Sequence, residues 1–427
     1  MSSTGLRHNR DFLLLAVART SSKLGGQITA VGLPLLVLAL TGSATAAGLV
    51  ALAEGIALVV VLLPAGLVAD RWDRRGIMLV TEAGSLAGLA AIGVLALTGH
   101  ASVLTVAALA AVVAGLGAAL QPAAAAATRA VVADRDLRAA TVFNETRNGT
   151  LHLAGPPLGG FLFTVNPALP FVVDAITSAV ALAAVALLRG PLKRPGAGRS
   201  RREGGESLPR QAVAGIRFLW GRPALRYTLI SSAVLNFAFS GVLLAILVVP
   251  VRNGASGLSA GMIISCVGLG AVIGSLVASW LTARIATRTL ILAVFWACGL
   301  LTAAMTLTSN GYVLGALAGV SALLVPAANI GMLTTQALLT PDHLQGRANA
   351  AISFLAMVVS PFGPAVAGPL IDRASAPVVF GFFAVLMLGL AAATTASPAV
   401  RSLPDLRHLD RPEAPGHAAE EVTPQPA

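Results

Sequence analysis

Long apolar runs broken by short polar connections fill the chain from residue 12 to residue 393. A helix needs about 20 mostly apolar residues to cross the hydrocarbon core, where unpaired backbone groups are too costly to leave exposed. Twelve runs qualify: Phe12 to Leu40, Ala44 to Val68, Ile77 to Leu97, Val103 to Leu120, Ala139 to Phe163, Pro170 to Leu188, Tyr227 to Val249, Leu258 to Leu281, Thr289 to Leu307, Tyr312 to Leu333, Ala348 to Ile371 and Val378 to Ala393. They predict an all-α membrane protein with twelve transmembrane helices, the first long enough to tilt. Arg7 and Arg10 ahead of that first run, with "ATA" at 44–46, mimic a secretory leader. The run is too long for one and is interrupted by Arg19 and Lys23, so it reads as span one. The triplets "NET" at 144 and "NGT" at 148 lie inside span five and carry no glycosylation meaning there.

Composition sharpens the picture. Of 427 residues, 56% are hydrophobic and 11% charged, against about a quarter charged in soluble proteins. A net charge of +11 would suit a nucleic-acid partner, but the basic residues sit in loops and follow the positive-inside pattern. One side receives Arg7, Arg10, Arg71, Arg74, Arg75, Arg129, Arg135, Arg138, the cluster from Arg189 to Arg226, Arg284, Arg288, Arg347 and the tail arginines Arg401, Arg407 and Arg411. The other keeps Arg252 and Arg373. This predicts a multi-pass protein of the cell (inner) membrane with both termini cytoplasmic, and no nucleic-acid partner. Cys266 and Cys298 fall in apolar runs, which argues against a disulfide or a thiolate metal site. With no phosphate-cradling Gly-Lys-Ser/Thr motif and no convergent carboxylates or nucleophile–base pair, the expectation is no enzyme, no cofactor and no metal.

The chain repeats itself: "LAGPPLGG" at 153–160 is answered by "PFGPAVAG" at 361–368, and "ADRDLRAA" at 133 by "PDHLQGRA" at 341. Two pseudo-symmetric six-helix bundles follow, at 12–188 and 227–393. Around them lie a cytoplasmic amino terminus (1–11), a basic cytoplasmic linker (189–226) rich in Gly, Pro and Arg, and a disordered tail (394–427). Within the linker, Val213, Ile216 and Trp220 beside Arg210 and Arg217 fit a short helix along the membrane surface, and an ordinary solvated linker fits equally well.

Two six-span halves, the stretch "GLVADRWDRR" between spans two and three, and "LPLLVLALTGSATAAGLV", "AGPPLGG", "FVVDAITS" and "PDHLQGR" together resemble the major facilitator superfamily. Within it, the chain is most similar to bacterial drug and siderophore exporters of the enterobactin-exporter and macrolide-efflux type. That resemblance implies two bundles rocking about a central site near the midplane. It also implies that Gly66, Asp70, Arg71, Arg74 and Arg75 form a gate, with Val68 and Asp73 departing from the family pattern. Physically, Asp70 at the end of span two can meet an arginine or a helix amino end and hold the inner mouth shut; the same residues also suit plain topology enforcement. The second-half counterpart "SWLTARIATR" puts Arg284 where Asp70 would align. In span five, Gly155, Pro156, Gly159 and Gly160 resemble part of the exporters' antiporter motif, with Leu151 at an expected glycine. They suit a hinge-like seam or ordinary close packing.

Ionisable residues inside spans point to energy coupling, since each is costly in lipid unless paired or hydrated. Those identified are Arg19 and Lys23 in span one, Glu54 in span two, Glu145, Arg147 and His152 in span five, and Asp174 in span six. A helical rise of about 1.5 Å per residue puts Lys23, Glu54 and His152 all roughly 20–24 Å from the basic side. They are read as a proton-coupling cluster in which Glu54 takes and releases the proton, or as a static Glu54 pair with Lys23 or Arg147. Asp174 is read as structural. Many relatives carry an aspartate where this chain has Gly26. Polar faces made by Gln27, Asn144 and Asn148 in the first half, and by Asn236, Ser240, Asn329 and Gln336 in the second, are candidate cavity linings. Phe237, Phe239, Phe354 and Phe362 are the aromatics best suited to an apolar ligand. The leading expectation is a proton-coupled exporter of amphipathic small molecules, its partners the substrate, protons and the lipid bilayer. An uptake symporter or uniporter, or a receptor or scaffold on the same fold, are the alternatives.

Overall fold

The computed structural model describes residues 8–71, 73–189, 217, 219–340 and 342–397. It is helical almost throughout, with helices α1 (Arg10–Thr41), α2 (Ala44–Arg71), α3 (Arg74–Leu97), α4 (Val103–Val131), α5 (Leu137–Val165) and α6 (Leu169–Ala186) in the first half. The second half holds α7 (Pro223–Arg252), α8 (Gly257–Arg284), α9 (Thr287–Ala304), α10 (Gly311–Leu339), α11 (Asp342–Val359), α12 (Phe362–Arg373) and α13 (Ala376–Ala396). Span eleven is therefore two helices, α11 and α12, broken at Ser360–Pro361. Eleven of the crossings among the described residues are long and apolar enough by themselves. The remaining one is α5, whose Asn144, Glu145, Arg147, Asn148 and His152 dilute its apolar character.

Local chemistry sets the ends. Asn9 caps α1 by accepting from the Phe12 N–H at 3.0 Å, Asp73 caps α3 through the Gly76 N–H, and a Ser102–Thr105 capping box opens α4. Gly42, at φ +67°, ends α1 in the left-handed region that other residues adopt only with strain.

The halves are built alike. Helix pairs α2–α4, α3–α4 and α3–α6 in the first recur as α8–α10, α9–α10 and α9–α13 in the second. Arg10, Arg74, Arg129, Arg284 and Arg288 lie at helix ends on one face of the bundle, termed the basic face; the far face carries the α1–α2, α5–α6 and α7–α8 turns. Two seams join the halves, α5 against α8 and α2 against α12, and they interchange under the same pseudo-symmetry. Both seams are backbone on backbone. A Cβ on Gly160 would overlap the Gly257 carbonyl, one on Gly261 the Pro156 carbonyl, and one on Gly48 the Pro364 carbonyl. Small residues thus replace the hydrophobic drive that lipid cannot supply. Beside them Val31 and Leu35 of α1 pack on Leu247 of α7 and Ala260 of α8, all buried.

Of the linker, Arg189, Arg217 and residues 219–222 are described before α7; Leu219 is buried on Leu225, Leu229, Ala348 and Ala351, and Trp220 is exposed. Arg210, Val213 and Ile216 of the anticipated surface helix, and the tail from residue 398, lie outside the described residues.

Candidate functional site

Below the far-face seams the halves enclose a cavity of about 1580 Å³. Its wall reaches Glu145 on α5 and Leu276 on α8, each eight residues from the basic end of its helix, or about 12 Å in from it. Polar side chains interrupt an otherwise apolar lining: Gln27, Glu54, Asn148 and His152 from the first half, Asn236, Ser240 and Asn329 from the second. Glu54, Glu145 and Asp174 give the wall three carboxylates, and among the described residues no lysine or arginine belongs to it.

Two of the anticipated lining residues stand elsewhere. Gln336 is 3% exposed and donates to Asn349 Oδ1 at 3.0 Å, tying α10 to α11. Asn144 is half-buried on α5 outside the wall. Ser240 does line the cavity, but its hydroxyl is engaged with the Phe237 and Ser360 carbonyls at the α11–α12 break. Of the four aromatics, Phe239 alone lines it; Phe237 stacks on Phe383 with ring centres 5.9 Å apart.

The anticipated meeting of Lys23, Glu54 and His152 divides in two. Lys23 lies within electrostatic range of Arg19, Arg147 and His152 between α1 and α5, where Glu145 offsets part of the positive charge. Arg147 is 8% exposed; its Nη2 donates to Asn148 Oδ1 at 3.1 Å, while Nε and Nη1 have no hydrogen-bond partner. Glu54 faces the cavity from α2 with no ion pair or hydrogen bond, so a static Glu54–Lys23 or Glu54–Arg147 pair is absent among the described residues. Equal depth along three helices brought these groups level. Glu54 and His152 share the cavity wall, and Lys23 is not part of it.

The span-five motif becomes a three-helix joint. Gly155 lies under Gln27 and Gly159 under the Ile28 backbone of α1, while Gly160 and Pro156 meet Gly257 and Gly261 of α8. Of the gating stretch, the side chains of Gly66, Asp70 and Arg71 lie outside the described residues. Arg74 donates to the Ala126 carbonyl and Arg75 to the Ala186 carbonyl, fastening the start of α3 to α4 and α6.

The far face holds a latch that the run pattern did not reveal. Asp372, at the end of α12, accepts from the Ala44 and Thr45 N–H groups at 2.9 and 2.8 Å and from the Ser43 hydroxyl at 2.7 Å, capping α2 from the opposite half. Arg252 of α7 pairs with the same carboxylate at 2.7 Å, and donates to the Gly42 and Ile371 carbonyls. Asp372 sits one position and Arg252 three beyond the apolar runs, so they read as ordinary loop charges. Glu82 was also missed among the in-span acids, although it is the lone carboxylate of α3; it is 3% exposed.

The multidrug efflux pump Tap of Mycolicibacterium fortuitum is 28% identical over 419 residues, covering 92% of this chain and 96% of its own length. Tap of Mycobacterium tuberculosis (strain H37Rv) is 27% identical, covering 93% and 94%. Among solved structures, the nucleoside transporter NupG superposes with a TM-score of 0.73 at 14% identity, over 93% of this chain and all of that one. A bacterial homologue of the iron transporter ferroportin, solved inward-facing, gives 0.68 at 15% identity, over 93% of this chain and 100% of that one. At such identities these structures establish the fold. The family profile described as transmembrane secretion effector matches residues 3–402, and the chain belongs to that family of major facilitator transporters.

Proposed function

We propose that this protein is a proton-coupled efflux pump that exports amphipathic, cation-bearing small molecules by alternating access. One observation carries the reading: a far face latched across the two halves above a large apolar cavity whose wall, among the described residues, holds carboxylates but no lysine or arginine. Buried apolar wall takes up the hydrophobic body of a substrate, and a carboxylate supplies the counter-charge that a desolvated cation requires. Glu54, unpaired in the wall, is the acid placed for that contact.

Sidedness comes from the arginines. Their concentration on the basic face makes that face cytoplasmic, with both termini inside and the two six-helix bundles at 12–188 and 227–393 moving as units in the cell membrane. The arrangement is then the inward-facing state, with the cavity reached from the cytoplasm. A substrate pairs with Glu54, the α5–α8 and α2–α12 seams part, and the basic mouth closes around Gly66, Asp70, Arg71, Arg74 and Arg75. Outside, a proton neutralises the acid and the cation leaves. Arg19, Lys23 and Arg147 hold positive charge on the α1–α5 side beside His152, offset in part by Glu145, and cytoplasmic water entering the cavity returns the emptied acid to its charged form. Resemblance to pumps described as multidrug exporters supports the direction and the breadth of cargo.

Proteoliposomes test this with ethidium as a lipophilic cation and tetraphenylborate as an anion of similar bulk. Ethidium should move against its gradient when protons flow the opposite way, and tetraphenylborate should not. Ethidium uptake in the same direction as protons would instead mark a symporter.

A further inference from the structure

Behind α1, where α3 packs on α6, two acids lie buried. Asp174 of α6 is 4% exposed and Glu82 of α3 3%. The Thr29 hydroxyl of α1 donates to Asp174 Oδ2 at 2.5 Å, the Thr177 hydroxyl stands 3.3 Å from Oδ1, and Ser22 of α1 hydrogen-bonds Glu82. Gly25 lets the α1 backbone settle on Asp174, since a Cβ there would overlap the Asp174 carboxylate and the Thr177 hydroxyl. Every hydrogen-bond partner of the two acids is thus a neutral hydroxyl.

The cations on neighbouring elements are engaged elsewhere. On α1, Lys23 and Arg19 act on the α5 groups Arg147 and Glu145. At the basic end of α3, Arg74 and Arg75 bind carbonyls of α4 and α6, and α4 adds Arg129 in its last turn. Asp174 is the lone ionisable residue of α6. The charge that does act on Glu82 is Asp174 itself. Two carboxylates this dry, within electrostatic range of each other, do not both ionise readily, because desolvating each ion costs several kcal/mol and like charge adds to it. A proton therefore completes the recess.

That proton has a path. Asp174, Ser22 and Ser85 belong to the cavity wall, and Glu82 does not. Glu82 stands eight residues after Arg74, about 12 Å from the basic face, while Asp174 is twelve residues from the end of α6, about 18 Å.

We propose that Glu82 and Asp174 hold a second coupling proton of this transporter, keeping it while Gly25 of α1 is seated on Asp174 and releasing it to water when α1 moves away. Release leaves a hydrated carboxylate and a hydronium ion, and nothing else is consumed. The proposal rests on the export reading but not on the identity of the cargo, and it adds a proton site apart from the cation-facing Glu54.

Infrared difference spectra of the purified protein in lipid test it directly, in a Glu54→Gln background that silences the cavity acid. The expected result is a protonated-carboxyl C=O band that responds to pH and to heavy water. Glu82→Gln and Asp174→Asn each move or remove it, and the double variant lacks it. No such band at any pH, or the same band in the double variant, overturns the pair. Should Asp174→Asn fail to fold, the near-isosteric Glu82→Gln decides alone. A second arm uses ethidium in proteoliposomes: the ratio of pH-driven uptake to ethidium exchange at equal pH should fall about ten-fold or more in Glu82→Gln. An unchanged ratio, or uptake driven by sodium instead of protons, also overturns it. If the unsubstituted protein moves no ethidium, the export reading fails while the infrared result still decides the proton pair.

Discussion

Removing the Asp372 carboxylate should open the far face. In Asp372→Ala, the Ala44 and Thr45 N–H groups and the Ser43 hydroxyl lose an acceptor held at 2.7–2.9 Å, and Arg252 loses its ion pair. Hydrogen bonds to a charged group contribute about 1.5–3 kcal/mol each when shielded. Here the aspartate side chain is 19% exposed and the arginine 32%, so water recovers much of that and the ion pair adds at most about 1 kcal/mol. A net loss of about 2–4 kcal/mol from the far-closed state shifts its population against the far-open one by about 30- to 700-fold. Spin labels at exposed far-face positions, Thr98 in the first half and Leu307 in the second, read this as a distance distribution. The short component should give way to a longer one in Asp372→Ala, and Arg252→Ala should shift the balance less, since it leaves the α2 cap in place. An unchanged distribution in Asp372→Ala, or an equal change in Arg373→Ala, would refute the latch.

Other consequences follow from single contacts. Gly261→Leu places a side chain on the Pro156 carbonyl and should hold the α5–α8 seam apart, giving folded protein with the long spin-label distance; the short distance would contradict the seam. Arg147→Met removes a buried guanidinium with two unbonded nitrogens and should raise the thermal midpoint by the equivalent of about 1–3 kcal/mol, whereas a lowered midpoint would mean the charge is compensated. Glu54→Gln should weaken ethidium binding about ten-fold, the loss of one partly screened charge contact, and leave an uncharged dye unaffected by fluorescence titration.

Much of the fold was written in the runs of apolar residues, because the lipid imposes a single length scale on every crossing. The helices nonetheless outlast those runs: α4 continues to Val131 and α10 to Leu339, past the predicted Leu120 and Leu333. Backbone hydrogen bonding does not stop where the hydrocarbon does. The break at Ser360–Pro361 was hidden because both α11 and α12 are apolar, and the Ser240 hydroxyl that serves it lies on another helix. The site was legible in depth but not in azimuth. Counting residues set Lys23, Glu54 and His152 level, yet whether they meet depends on helix rotation, which packing against α5 and α12 decides. Asp174 read as structural because its partner, Glu82, lies in a different span, and pairing across spans leaves no mark in either one.

Alternating access predicts a single cavity reached from one face at a time. With Cys266 and Cys298 replaced by serine, Ala271→Cys puts a thiol in the cavity wall on α8. A membrane-impermeant maleimide should modify it from the basic face in inverted vesicles and leave it untouched from the far face, with far-face labelling gained on adding Asp372→Ala. Equal labelling from both faces, or labelling from the far face alone in the parent, would contradict the account.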